Sequence, residues 1–223
     1  MFDFLLQFIP WILEGFLVTI QLTFVGLVFG LLLGTLLAIG DLYGGKAIST
    51  AIRFYVEFFR GSALIAQAFV FFFAVFPDML KMGLIDRITV GCIVFTLNSA
   101  AYQKGYIKGA MESVYEDQMT AALSLGLSKA QAIRYVVLPQ AMRIMIPGWS
   151  NEFSSLAKST PAISVMGVRD LTSVGRSISH RTFKFIETWI FIALIYLIWI
   201  SIVMKILDMI YGRVKIPGIE ISA

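Results

Sequence analysis

Five long apolar runs constrain this chain more than any other feature. They lie near Gly15–Leu36, Ala51–Phe76, Ile88–Ala110, Ala141–Val165 and Ile186–Tyr211. Each is long enough to span about 30 Å of hydrocarbon as a helix. With no water in that layer, every backbone N–H and C=O must be bonded internally, and a helix does so within one run. The chain as a whole is 58% apolar, with a mean hydropathy of +0.84. A soluble domain of 223 residues has too little interior to hide so much apolar surface. The expected fold class is an all-α integral membrane protein of about five transmembrane helices, one domain over residues 1–223.

The net charge of +4 is modest, and basic residues in such a chain report orientation before they report nucleic acid. One side holds Lys46, Arg53, Arg60, Lys104, Lys108, Lys129, Arg134, Arg143, Lys205, Arg213 and Lys215. The other holds Lys81, Arg87, Arg169, Arg176, Arg181 and Lys184. The richer side is expected to be cytoplasmic, with the N-terminus outside and the C-terminus inside. Met1–Leu13 has no basic n-region and does not read as a cleavable signal. Phe2, Leu5, Leu6, Phe8, Ile9 and Pro10 suggest a short interfacial helix there. The single cysteine, Cys92, excludes an internal disulfide.

The fourth run is interrupted by Asn151, Glu152, Ser154, Ser155, Lys158 and Ser159. A charge at a helix centre costs about 2.5–3.5 kcal/mol on insertion scales, so these residues should face protein or water. At helical spacing Asn151, Ser155 and Lys158 share one stripe, and Glu152, Ser155 and Ser159 a neighbouring one. Together they suit a zwitterion: a carboxylate for an ammonium and a lysine for a carboxylate. The competing reading is a structural ion pair between packed helices. Thr160-Pro161 should end or kink this run. Arg60, toward the inner half of the second run, reads as a side chain snorkelling to headgroups.

Between the third and fourth runs lies a segment polar enough for water, residues 113–140. Ser113 and Glu116 have capping-box spacing, and so do Ser128 and Gln131. Gly126 stands where a left-handed residue would end the first helix, and Pro139 is expected to break the second. The expectation is two short cytoplasmic helices with a fixed bend. Small residues at Ala121, Ala122 and Gly126 let another surface come close.

This segment resembles the cytoplasmic signature of ATP-binding-cassette (ABC) importer permeases: EAA, three residues, Gly, then an apolar stretch ending in Leu-Pro. Here it reads Thr120-Ala121-Ala122, Gly126, then Leu138-Pro139-Gln140-Ala141, with Thr120 in place of Glu. Further matches point to the polar amino acid branch. They are Phe59-Arg60-Gly61-Ser62-Ala63-Leu64 with Gln67, Ala101-Tyr102 through Lys108-Gly109-Ala110, and Asn151-Glu152-Phe153 with Lys158-Ser159-Thr160. In the second, Gly105 and Lys108 replace an acid and an arginine, so a paired charge is altered.

The resemblance implies the transmembrane domain of a type I ABC importer, multi-pass in the inner membrane of a prokaryote. It implies a non-catalytic subunit that takes up a polar amino acid by alternating access. The implied partners are two ABC ATPase subunits, a second permease as homo- or heterodimer, and an extracytoplasmic substrate-binding protein. ATP and Mg would be bound by the ATPase, since this chain has no GxxxxGK[ST] and no cofactor motif of its own. The implied ATPase-coupling residues are Gln118, Thr120, Ala121, Ala122, Gly126, Leu138 and Pro139. The candidate substrate pathway is Asn151, Glu152, Ser155, Lys158, Ser159 and Thr160. The alternative is an ion-coupled secondary transporter or channel using Glu152 and Lys158. An integral-membrane enzyme is disfavoured: there is no HExxH, no cysteine cluster and one histidine, His180. The basic stretch Arg169–Lys184 would meet an acidic rim of the binding protein or be simply solvated.

Overall fold

The computed structural model describes residues 3–214, apart from the side chains of Asp3 and residues 115–117. Among the described residues every regular element is helical. A 3-10 turn, Asp3–Phe8, runs directly into α1, Ile9–Tyr43. Pro10 sits in the first helical turn, where its missing N–H would be unbonded anyway, so it does not break the chain. The expected separate interfacial helix is therefore corrected. Leu5 is buried with Ile12, Leu171, Val174, Ile178 and Ile192, while Phe2 lies outside the described residues.

One stripe of α1 is buried: Gly15, Thr19, Gly26, Gly30, Gly34, Ala38 and Asp41. From Gly26 onward it packs along α5, Arg87–Ser124, while Gly15 and Thr19 meet Val174 and Leu171. A β-carbon at Gly26 would lie 2.7 Å from Phe95 Cβ, and one at Gly34 3.1 Å from the Ala100 carbonyl. Lipid supplies no hydrophobic force between helices, so close backbone approach through small residues supplies the packing energy.

The second apolar run is not one straight span. It forms α2, Gly45–Gly61, and α3, Leu64–Val70, the latter prolonged by a π turn, Phe71–Val75. The two parts meet at 108°. Ser62 and Ala63 are extended between them, leaving the last carbonyls of α2 without intrahelical partners. Side-chain amides take those places: Gln67 Nε2 donates to the Phe59 carbonyl at 2.8 Å and Asn98 Nδ2 to the same carbonyl at 3.3 Å. A short helix, α4, Pro77–Lys81, follows.

α5 passes without interruption through Ser113, so the first capping box is corrected. Ser113 Oγ donates to the Ala110 carbonyl inside the helix at 2.9 Å, a bond that competes with capping. The Glu116 side chain lies outside the described residues. Next come α6, Lys129–Ala132, a π turn, Ile133–Val137, and α7, Leu138–Ile144. Pro139 therefore does not end the helix. The Leu138 N–H reaches back to the Ile133 carbonyl, and this wider turn accommodates the proline that follows.

The fourth run divides into the end of α7, then α8, Ile146–Ser159, and α9, Pro161–Ser164. The expected interruption at Thr160-Pro161 is present. α10, Leu171–Thr182, and α11, Phe185–Val214, complete the chain. Among the described residues two helices qualify as membrane spans by length and composition, Phe4–Tyr43 and Phe185–Val214, and the bent α2–α3 pair adds a third only where it crosses as one broken span. The remaining two expected runs bury Asn98, Ser99, Gln103, Lys104, Ser150 and Glu152. Those polar residues make them the less apolar pair.

Candidate functional site

The cytoplasmic segment is built by backbone geometry at one turn. Gly126 has φ +83, a conformation that costs a side-chain-bearing residue energy. Its N–H bonds the Leu123 carbonyl at 2.9 Å, and the Leu127 N–H bonds the Ala122 carbonyl at 3.2 Å. This is the Schellman pattern, which satisfies carbonyls at a helix end. The next helix begins with the expected capping box. Ser128 N–H donates to Gln131 Oε1 at 2.9 Å, and Gln131 N–H to Ser128 Oγ at 3.4 Å. Gln140 Nε2 donates to Gln118 Oε1 at 3.3 Å, tying the two arms together.

The seven expected coupling residues fall on two faces. Ala122 is buried and Leu138 half-buried, in a cluster with Ala38, Met111, Met119 and Ala132. Gln118, Thr120, Ala121, Gly126 and Pro139 are exposed. Sequence reasoning missed Leu123, Leu125 and Tyr135, which lie exposed on the same module; Leu125 is 83% exposed. Their signal was apolar residues at positions a water-facing helix would make polar.

The membrane residues separate in a comparable way. Glu152 is 3% exposed and faces α5, where its carboxylate interacts with Ser99 and at longer range with Arg60. Arg60 does not extend toward headgroups alone: its guanidinium lies 5.1 Å from the centre of the Tyr102 ring. The α2 break, Arg60, Tyr102 and Glu152 thus form one polar neighbourhood. Asn151, Ser155 and Lys158 line the opposite, exposed face of α8, and no ion pair joins Lys158 to Glu152. Ser159 Oγ donates to the Ser155 carbonyl at 2.8 Å. Thr160 is buried, its hydroxyl 3.0 Å from Tyr196 Oη on α11. Tyr196 Oη in turn lies 3.2 Å from Thr172 Oγ1.

A third charged group was not anticipated as a unit. Asp41 Oδ2 lies 2.6 Å from Lys104 Nζ and 2.8 Å from Lys108 Nζ, while its Oδ1 accepts from Ser49 Oγ at 2.5 Å. Lys108 extends to Glu112 at 3.8 Å. The altered paired charge expected at Gly105 and Lys108 has its replacement here: the partner of Lys108 comes from α1. Two lysines one turn apart, with an acid at the end of an apolar run, were the available signal.

Residues 26–216 match the family described as the inner membrane component of binding-protein-dependent transport systems. The chain belongs to that family. Among its relatives is the glutamine transport system permease protein GlnP of Escherichia coli (strain K12), 33% identical over 93% of this chain and 94% of that one. A probable amino-acid ABC transporter permease, PatM, of Vibrio harveyi is 32% identical over 87% of each. The fold agrees with these relationships. A crystal structure of an amino acid ABC transporter with histidines superposes with a TM-score of 0.83, at 30% identity, over 96% of this chain and 98% of that one. The MetNI methionine ABC transporter, in an inward-facing form, superposes at 0.81 over 97% of this chain and 100% of the other, with 15% identity, and attests the fold alone. This permease is accordingly an ABC importer transmembrane subunit in fold, in a family of inner-membrane components.

Proposed function

We propose that this permease takes up a polar amino acid, driven by ATP hydrolysed on separate ABC ATPase subunits. One observation carries the coupling part: the turn at Leu123–Leu127 is rigidly hydrogen-bonded yet presents Leu123 and Leu125 outward. Large apolar side chains held at a water-facing corner favour a protein partner. The turn, with Gln118, Thr120 and Ala121 beside it, docks on an ATPase, and closure of the ATPase dimer moves it. Because α5 is one continuous helix, the movement reaches the polar neighbourhood of Arg60 and Glu152 without an intervening hinge. ATP and Mg belong to the ATPase.

The chain is one permease domain crossing the inner membrane of a prokaryote five times, N-terminus outside. It pairs with a second permease and receives substrate from an extracytoplasmic binding protein. Asn151, Ser155 and Lys158 line the pathway, with Lys158 for the substrate carboxylate. Ser159 and Thr160 shape its outer end. Glu152 sets the field around Arg60 from the buried side of α8. The relatives named for glutamine and amino acids support the substrate class.

Leu125→Asp tests docking by co-purification with the ATPase subunits. Loss of about 2 kcal/mol of binding, the scale of an interface hot spot, is expected. Undiminished co-purification would refute the docking face. Lys158→Met and Glu152→Gln test the pathway in proteoliposomes loaded with radiolabelled amino acids. Normal uptake by both variants, with lowered thermal stability, would assign these charges to packing instead.

A further inference from the structure

Asp41 joins three helices at a single carboxylate. It stands at the end of α1, accepts from Ser49 of α2, and meets Lys104 and Lys108 of α5. Its side chain is 1% exposed and that of Lys104 10%. Arg53 Nη2 donates to Ser49 Oγ at 3.3 Å, so α2 contributes a further cation to the same corner. A cavity of about 520 Å³, lined in part by Lys46, Thr50 and Arg53, lies alongside. A buried acid between two ammoniums holds a discrete arrangement, because removing either side strands an uncompensated charge.

The position along α5 gives this group its use. Lys104 and Lys108 lie on the same unbroken helix as the Ala121–Gly126 turn. At 1.5 Å per residue, Lys108 is about 24 Å from the end of that helix. Beyond the ion group, on the membrane side, Gly26, Gly30 and Gly34 hold α1 against α5 by close backbone approach. α2 meets the end of α1 closely, a β-carbon at Gly40 lying 2.8 Å from Ile52 Cδ1, and is set at 108° to α3 beyond the break at Ser62. The start of α2 is fastened to the lever through Ser49 and Asp41, and its far end through Tyr55 Oη donating to the Leu97 carbonyl at 2.6 Å, Asn98 Nδ2 donating to the Phe59 carbonyl, and Arg60 over the Tyr102 ring.

We infer that Asp41 is a positioning residue for transport: the fulcrum that makes the start of α2 follow α1 and the α5 lever when the coupling turn is displaced. The inference rests on the proposed docking of that turn. Once Asp41 is neutralised, the lever still moves, with α1 held to it by the glycine seam, but the start of α2 no longer follows. ATP hydrolysis then proceeds without uptake.

The test uses the whole complex in proteoliposomes, with an equimolar mixture of radiolabelled amino acids and the binding protein present. Asp41→Asn is expected to keep the ATPase subunits bound and hydrolysing, while uptake per ATP falls about tenfold, within the usual range of inter-site coupling. Asp41→Glu should recover part of that ratio. A second readout does not depend on uptake. With Cys92→Ala as background, spin labels at the exposed positions Ala47 of α2 and Ser113 of α5 report the distance from the start of α2 to the lever with and without ATP. The wild type should keep that distance fixed, and Asp41→Asn should let it change. If uptake and hydrolysis fall in proportion with the distance still fixed, Asp41 is a structural anchor and the inference is overturned. An unchanged uptake-to-ATP ratio overturns it as well. Failure of the docking reading shows separately, as undiminished co-purification of Leu125→Asp with the ATPase.

Discussion

The hydroxyl of Thr19 accepts a hydrogen bond from the backbone N–H of Leu171 at 3.1 Å, across 152 residues of sequence, and donates to the Gly15 carbonyl at 3.0 Å. Both residues are buried. Thr19→Val keeps the shape but strands the Leu171 amide, at a cost of about 1–3 kcal/mol. Thr19→Ser should recover most of it. Thermal unfolding of the detergent-solubilised permease measures both, and a neutral valine variant would show that water replaces the hydroxyl.

Glycine positions divide into two sets by what a β-carbon would meet. At Gly26 it would stand 2.7 Å from Phe95 Cβ, whereas at Gly109 nothing lies within 4 Å. Gly26→Ala must push α1 off α5 and should destabilise by about 1–3 kcal/mol. Gly109→Ala only improves helix propensity and should gain about 1 kcal/mol. Equal melting temperatures for the two variants would contradict the packing described.

Gly126→Ala meets no neighbour, yet φ +83 is unfavourable for alanine by about 1–2 kcal/mol. The strain falls on the Schellman turn and not on the core. The expected outcome is a nearly unchanged global melting transition with faster amide exchange at Gly126 and Leu127, read by hydrogen-exchange mass spectrometry. Weaker ATPase association should accompany it.

Asp170 caps α10, its Oδ1 accepting from the Ser173 N–H at 2.9 Å, and its Oδ2 is buried without a hydrogen-bond partner. Burial raises its carboxyl above the ordinary 3.8, against the bonds to Ser173 and Thr172 and the charge of Arg176. A raised folded-state value means that the carboxyl favours the fold below 3.8 and that this contribution is lost as pH rises through the raised value. Asp170→Asn imitates the protonated form and keeps the cap. Its melting temperature should match wild type in acid and gain on it toward neutral pH. A gap that does not vary with pH would show that the group is ionised alike in both states.

Much of the cytoplasmic module was legible in advance because its determinants are local. A glycine at a helix end and a Ser-x-x-Gln cap act within four residues, so their spacing is their structure. Ser113 misled because a hydroxyl serves equally well inside a helix, bonded to the preceding turn. Pro139 misled because the π turn before it absorbed the ring. Within the membrane, periodicity predicted one polar face on α8, and packing divided it. Glu152 turned to α5, and Asn151, Ser155 and Lys158 turned outward. Arg60 was read by its sequence position alone, which cannot anticipate the ring of Tyr102.

By itself the sequence determined that this chain is helical and membrane-embedded, that it belongs among importer permeases, and where its capped turn lies. Those conclusions follow from apolar run length, local backbone preferences and motif spacing. Only the tertiary structure decided that the second run breaks at Ser62, that Glu152 and Lys158 are not a pair, and that Asp41 joins α1 and α2 to the lever. Each depends on which distant backbone or charge comes within a few ångströms. That proximity is set by the packing of several helices together, through contacts such as those of Gly26 and Gly34, and no single segment encodes it.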